Sequence, residues 1–440
     1  MQRKITKLVP TTIAMSALSS ALLLTSTGAM AAGLTLNEQS ASAMGTAYAG
    51  RSSSALDAST VFGNPAGMSR LDRMQVSGGL AFIDPRIKIK GDPSNPSGTN
   101  KGDMVPFTTI PFGYFVMPLD DQWHFGMGIY APVGGKSDFE KTFTGRYQAR
   151  KTEVTMITFQ PTISYKFNEM LSVGIGPTIS YLEGTLSSNS LSPIPGGDDL
   201  LYTAEGDDTA VGVNVGVLFQ PYEDTTFGLT YRSHTKFKFS GDAKLENFPD
   251  ISNPPASLAN PPVTYKGNAK LTFTAPESID VSFTHKLDEQ WTLYAGAVWT
   301  RWSRLDTIAI DDTLVVPGVT NDGIDPIEDV NFRDTWAYSI GTSYQLNPEW
   351  ILRAGFALDD AAASDGDRSV RTPIGERKAI TIGAGWHATP NLTIDAAYGY
   401  LWESTAKVDA PAKSGGARPG WKGSFKNEAH GISAQATYRF

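Results

Sequence analysis

"ISAQATYRF" (residues 432–440) ends the chain. It puts Ile432, Ala434, Ala436, Tyr438 and Phe440 on one face and Ser433, Gln435, Thr437 and Arg439 on the other. Side chains alternate across a strand, so this is a strand with one apolar and one polar side. The pattern recurs upstream. Ile157, Phe159, Ile163, Tyr165 and Phe167 alternate with Thr158, Gln160, Thr162, Ser164 and Lys166; Val211, Val213, Val215, Val217 and Phe219 alternate with Gly212, Asn214 and Gly216. Leu271, Phe273, Ile279, Val281 and Phe283 are expected on one face, opposite Thr272, Thr274, Ser278, Asp280, Ser282 and Thr284. A water-soluble barrel would turn its apolar face inward. Here the segments are long, aromatics gather near their ends, and the apolar faces carry many small residues, which suits lipid outside and a polar lumen inside.

Turns set the strand count. "PLDDQW" (118–123), "KLDEQW" (286–291) and "QLNPEW" (345–350) are near copies, and "KFNEML" (166–171), "QPYEDTTF" (220–227) and "HATPNL" (387–392) play the same part. Longer polar loops fall near 91–103, 136–150, 187–207, 241–269, 311–331, 361–375 and 406–427. Six tight turns between seven hairpins give an all-β, transmembrane antiparallel β-barrel of about fourteen strands over residues 73–440. Both of its ends lie on the tight-turn side, which in such barrels faces the periplasm. Closure pairs every backbone group, which hydrocarbon demands.

Arg3, Lys4 and Lys7, the apolar run from Leu8 to Leu24, and Ala29-Met30-Ala31 read as a signal peptide over residues 1–31; the alternative is a retained anchor. Discounting those three cations takes the formal charge from −8 to −11, so no nucleic-acid partner is expected. Downstream no long apolar stretch predicts a transmembrane helix. The chain has no cysteine, so neither disulfides nor thiol chemistry enter.

Residues 32–72 do not alternate. They are rich in Ala, Gly and Ser, carry spaced apolar residues such as Leu34, Leu36, Met44, Phe62 and Met68, and contain the turn Asn64-Pro65-Ala66-Gly67. A barrel of this size has a lumen that its own wall side chains do not fill. The segment is expected to be an N-terminal plug, or hatch, rather than a loose tail. A second irregularity is "GIYAPVGGKSDF" (128–139), where Pro132 and Gly134-Gly135 interrupt a strand pattern. It reads either as a kink within the strand or as an ordinary strand end where an external loop begins.

Several blocks resemble the outer-membrane long-chain fatty acid transporters (FadL-type), a family that includes aromatic hydrocarbon transporters: "AGLTLNEQSASAMGTAYAG" (32–50), "NPAGMSRL" (64–71), "FIDPRIKIKG" (82–91), "LTYRSHTKFKFSG" (229–241) and "RAGFALDD" (353–360). The resemblance covers essentially the whole mature chain. It implies a hatch at Asn64, Pro65, Ala66 and Gly67, and a third-strand kink at Ala131, Pro132, Val133, Gly134 and Gly135 that opens the wall toward lipid. It also implies external loops that capture the cargo, here Leu191, Ile194, Leu200, Leu201, Phe248, Ile251 and Leu258; the alternative is that these residues only pack the loops together. Tyr438 and Phe440 resemble the ending read by the barrel assembly machinery. The implied surroundings are outer-membrane lipid and lipopolysaccharide, in a Gram-negative cell.

The implied cargo is a long-chain fatty acid or another hydrophobic small molecule. Burying about fifteen methylenes is worth roughly 12 kcal/mol, so such a molecule needs no pump to enter a membrane. It needs passage through the polar sugar layer and sideways release. One departure weakens the fatty-acid reading: Ser188 and Ala309 fall where fatty-acid carriers of the family place basic residues. Arg301 and Arg304 lie close by and are candidate carboxylate partners, or else sit at the aromatic rim. Neutral hydrocarbons such as toluene are the alternative cargo. A general porin and a barrel that carries nothing are the competing classes.

No enzyme, cofactor or metal is expected. The histidines at 124, 234, 285, 387 and 430 are scattered, and no nucleophile elbow or phosphate-binding loop is present. The acidic loop 311–329 lacks the spacing of a calcium loop and reads as solvated.

Overall fold

The computed structural model describes residues 34–250, 261–316 and 328–440. The expected signal peptide, Ile251, Leu258 and most of the acidic loop 311–329 lie outside the described residues.

Fourteen antiparallel strands form the wall. They are β1 (Gln75–Gly91), β2 (Thr108–Pro118), β3 (Trp123–Tyr130, then Gly134–Asp138), β4 (Lys151–Lys166), β5 (Leu171–Ser190), β6 (Leu200–Tyr222) and β7 (Thr225–Arg232, then Thr235–Phe248). The second half holds β8 (Val263–Ala275, then Ser278–Lys286), β9 (Trp291–Thr300), β10 (Thr335–Asn347), β11 (Trp350–Asp359), β12 (Arg377–Thr389), β13 (Leu392–Glu403, then Ala406–Ala410) and β14 (Trp421–Arg439). Each strand pairs with the next, and β14 closes on β1 from Gln75↔Arg439 to Gly91↔Gly423. Closure leaves no edge strand in lipid. Short extra strands, Thr307–Ile308, Ile310–Asp312 and Glu328–Asp329, sit in the loop after β9.

The carboxy-terminal alternation is the radial direction of the wall. Ile432 and Tyr438 are 56% and 43% exposed, whereas Ser433, Gln435 and Thr437 are at most 2% exposed. Lipid therefore meets the apolar face. The tight turns are closed by one repeated device: a side-chain oxygen caps two N–H groups ahead of it. Asp120 accepts from Gln122 and Trp123 N at 2.8 and 2.7 Å, Asp288 from Gln290 and Trp291 N at 2.8 and 2.6 Å, and Asn347 from Glu349 and Trp350 N at 2.9 and 2.9 Å. The Trp123 and Gln122 donors hold the Asp120 carboxyl below its usual range.

Two expectations are corrected. The strands run further into the long loops: β5 reaches Ser190, β6 starts at Leu200 and β7 reaches Phe248, so much of 187–207 and 241–269 is paired wall. Leu271 and Phe273 do not share a face with Ile279 and Val281. Phe273 packs in an inward cluster, while Val281 is 49% exposed to lipid. The break between Ala275 and Ser278, at Pro276 and Glu277, reverses which parity points inward, because an irregularity of this kind re-aims every side chain beyond it.

The lipid face makes a quantitative test. Ile340 is 63% exposed and lies midway along β10, between outward Trp336 and Tyr344. Ile340→Arg should cost about 2–4 kcal/mol of barrel stability, measured by denaturant-dependent folding into bilayers, as a cation near the midplane does.

Candidate functional site

Residues 34–72 lie against the inward faces of the wall. The segment forms helices α1 (Ala41–Met44) and α2 (Thr60–Gly63) and a 3-10 helix at Pro65–Arg70. Ser40 caps α1, its side chain accepting from Ala43 N. The wall satisfies the segment's backbone from almost every side. Gln160 Nε2 donates to Val61 O at 2.9 Å, Ser172 Oγ to Ala66 O at 3.1 Å, Thr230 Oγ1 to Gly63 O at 3.0 Å and Thr381 Oγ1 to Gly45 O at 3.2 Å. Arg51 is ion-paired with Asp280 at 2.7 Å, and Gln435 Nε2 donates to Asp57 at 2.8 Å.

Asn64 is fully buried. Its Nδ2 donates to Ser52 O at 2.6 Å and to Val217 O at 2.9 Å, and its Oδ1 accepts from Ala66 N at 3.0 Å. One carboxamide thus ties the turn to the segment, to the wall and to itself. Pro65 starts the 3-10 helix, where its missing N–H costs nothing. Two wall glycines allow the approach: a Cβ at Gly216 would overlap the Asn64 carboxamide, and one at Gly228 would overlap the Ser52 carbonyl.

The second irregularity is a break in β3. The ladder to β2 ends at Gly113↔Ile129, so residues 108–112 of β2 pair only with β1. Ala131, Pro132 and Val133 lie between the two halves of β3, and Gly134 and Gly135 begin the second half, opposite Thr155 and Val154 of β4. The amino-terminal segment takes up the broken backbone. Gly134 N donates to Leu34 O at 2.9 Å, Leu36 N to Pro132 O at 2.9 Å, and Met156 N from β4 to Val133 O at 3.0 Å. Gln39 holds Ala131 at both ends: its Nε2 donates to Ala131 O at 2.6 Å and its Oε1 accepts from Ala131 N at 3.3 Å.

An apolar cavity, with about 890 Å³ of empty space counting the part open to solvent, lies on the long-loop side of the lumen. Leu34, Val154, Phe239, Leu271, Phe273 and Phe332 line it, with Arg371 and Thr372 among its polar groups. A second cavity of about 1110 Å³ is lined by Thr35, Pro132, Val133, Met156, Arg51, Arg232 and Asp359. Leu34 and Thr35 thus stand between the two, bonded to the break. One buried apolar cluster runs from Val133 through Leu34, Phe239 and Phe273 to Phe332 and Ile374 and so joins the first cavity to the break.

The loop residues separate. Leu200 and Phe248 pack together with Tyr202, Leu245 and Ala269, in a cluster that adjoins the first cavity through Ala204, Ala269 and Ile310. Leu201 is half-buried on β6. Leu191 is 43% exposed and Ile194 half-buried; neither joins that cluster. Arg301 and Arg304 are already committed: Arg301 Nη1 is 3.2 Å from Glu277, and Arg304 makes a two-point pair with the same carboxylate. The cavity's buried cation is Arg371, which no sequence pattern marks; Lys270, also on its lining, is exposed. It is 4% exposed, and donates to Glu328 at 3.0 Å and to Thr152 Oγ1 at 2.8 Å. Arg418, 3% exposed, lies beside it, donating to Gln148 O at 3.2 Å. Burial, and then the nearby Arg371 charge, lower the Arg418 pKa to about 10, with Glu328 opposing. Arg371 is thus ion-paired with Glu328, while Arg418 is held by the Tyr147 and Gln148 carbonyls with Glu328 as a nearby charge.

Asn64→Ala removes the link between segment and wall and strands buried carbonyls, a loss of about 1–3 kcal/mol for each unsatisfied group. Planar-bilayer recordings should show the variant with higher and noisier ion conductance than wild type while the barrel stays folded.

The comparisons agree with this geometry. The family model described as "Outer membrane protein transport protein (OMPP1/FadL/TodX)" matches residues 22–440. A long-chain fatty acid transport protein of Escherichia coli O6:H1 is 29% identical over 410 residues, covering 88% of this chain and 90% of the relative. Outer membrane protein P1 of Haemophilus influenzae is 28% identical over 429 residues, covering 88% and 89%. Among solved structures, a Pseudomonas aeruginosa FadL homologue superposes with a TM-score of 0.81 at 23% identity, covering 93% of this chain and 100% of that one. The Ralstonia pickettii toluene transporter TbuX superposes with a TM-score of 0.65 at 18% identity, covering 92% and 99%. These two structures support the shared barrel fold. With a family match spanning nearly the whole chain and a closed barrel whose lipid face is apolar, this protein is an integral outer-membrane β-barrel and belongs to the OMPP1/FadL/TodX family of outer-membrane transport proteins.

Proposed function

We propose that this transport protein takes up long-chain fatty acids by passive diffusion, with the amino-terminal segment as its plug and the β3 break as its side exit. The observation that carries the reading is the buried apolar cluster that joins the cavity to the break, with Leu34 between them. An acyl chain would lie along Phe239 and Phe273, and its carboxylate would take the charge that Glu328 leaves over from Arg371 and Arg418. The chain would then pass Leu34 and leave beside residues 108–112 of β2. Moving Leu34 away from Gly134 and Gln39 away from Ala131 would open that route. The names of the curated relatives favour the same cargo. A general porin fits less well, because the lumen-facing side chains are occupied by residues 34–72.

Neutral hydrocarbons are the second reading. Arg301 and Arg304 are neutralised by Glu277, and Arg371 is paired, so a cargo without charge would also be accommodated. Ser188 is buried on β5 and Ala309 is exposed, and neither can pair with an anion.

Uptake of labelled oleate and labelled toluene by cells lacking their own such transporter separates these readings. Gly134→Val crowds the buried start of the second half of β3 and should abolish uptake of both while leaving the barrel folded; normal uptake by a folded variant would rule out the side exit. Arg371→Leu should lower oleate uptake about tenfold, the worth of one charge-assisted hydrogen bond, and leave toluene uptake unchanged. Equal loss of both would assign Arg371 to the architecture rather than to the carboxylate.

A further inference from the structure

The outside of the barrel is unevenly charged just above the aromatic rim. On the facet made by β12, β13, β14 and β1, the outward positions carry Arg86, Lys88, Lys90, Lys378, Lys407, Lys422 and Lys426, all exposed. The chain as a whole is acidic, with a formal charge of −8. Three carboxylates answer part of this charge: Asp84 pairs with Arg86 at 3.2 Å, Asp409 with Lys422 at 2.9 Å and Glu428 with Lys426 at 2.9 Å. Lys88, Lys90, Lys378 and Lys407 have no ion pair among the described residues.

The register makes this arrangement costly by itself. Lys88 stands directly opposite Lys426, and Ser424 is flanked by Lys90 on one side and Lys407 on the other. Like charges opposite each other on a ladder destabilise it. Neighbouring strands are about 4.8 Å apart and successive outward residues of one strand about 6.7 Å apart, so these ammonium groups can converge on one anionic group. Below them lies a shelf of rings: Tyr398, Tyr400, Trp402, His430 and Phe82, with Tyr400 and Trp402 stacked at 5.5 Å. The wall beside the rings is apolar: Ile380 faces Tyr400, Ile382 and Ile432 face Tyr398, and these isoleucines are 51%, 58% and 56% exposed. Cations above a band of rings and acyl-compatible isoleucines match a glycolipid's phosphates above its sugar and fatty-acyl chains. A second lysine stripe on β7 and β8 also sets like charges opposite each other, Lys244 to Lys266, but carboxylates are interleaved with it: Lys244 is held by Glu205 at 2.8 Å with Asp242 and Glu246 beside it, and Lys270 faces Asp311 across the ladder.

We propose that the β12–β13–β14–β1 facet is a docking site for a phosphorylated glycolipid of the outer leaflet, with Lys88, Lys90, Lys378 and Lys407 on its phosphates. The facet lies at the long-loop end, opposite both chain ends of the barrel, which is the side such a lipid occupies. This site stands apart from the transport route and does not depend on the cargo assigned above.

The test uses the folded protein in detergent with EDTA, which removes cation-bridged binding at carboxylates. Native mass spectrometry would compare a bisphosphorylated lipid A with the same lipid after phosphatase treatment. Wild type should prefer the phosphorylated form about tenfold or more, given the worth of each lysine near an anionic headgroup. K88Q/K90Q/K378Q/K407Q should lose that preference, the double variant K88Q/K407Q should lose part of it, and K236Q/K238Q/K266Q/K270Q on the other stripe should keep it. Wild-type preference in the quadruple or double variant, or equal binding of the dephosphorylated lipid by wild type, would overturn the proposal.

Discussion

In hydrocarbon every backbone N–H and C=O must find a partner within the protein, and in this molecule that demand is hardest to meet at the break in β3. A closed ladder satisfies the other strands. At Ala131, Pro132 and Val133 the ladder to β2 has stopped, and Pro132 has no N–H at all. The groups left over are taken by Leu34, Leu36 and Gln39. Leu34 therefore both lines the cavity and helps to close the wall.

The rest of the lumen is arranged around the same segment. Small residues on the inward face, Gly216 and Gly228 among them, let its backbone come within hydrogen-bonding distance of the wall. Glutamine, serine and threonine side chains from β4, β5, β7, β12 and β14 then meet its carbonyls and side chains. The polar face of each strand, which in an empty barrel would be merely wet, here has named partners. Where the wall rises above the segment, its inward face turns apolar at Phe237, Phe239, Leu271 and Phe273 and the cavity begins.

The parity change at Pro276 and Glu277 is what makes that apolar region. Continued without a break, β8 would send Leu271 and Phe273 to the lipid side with Val281. The interruption turns them inward, and it places Glu277 where it pairs with Arg301 and Arg304. A single irregularity thus supplies the cavity wall and uses up the two arginines that sequence proximity suggested for the cargo.

Sequence by itself determined the barrel. Period-2 alternation, six tight turns, several of them with a capping carboxylate or carboxamide, and the polar-in ending at Ile432–Phe440 are local signals, and local signals survive in one dimension. Pro132 and the glycines after it marked an interruption for the same reason. The tertiary structure alone decided which residues face each other across the lumen. Arg371 and Arg418 come from two different loops, and Gln39 meets Ala131 although 92 positions separate them. Side-chain parity beyond a break, the partner of a buried charge and the groups that satisfy an interrupted strand all depend on chain closure, which brings together residues that no pattern along the sequence connects.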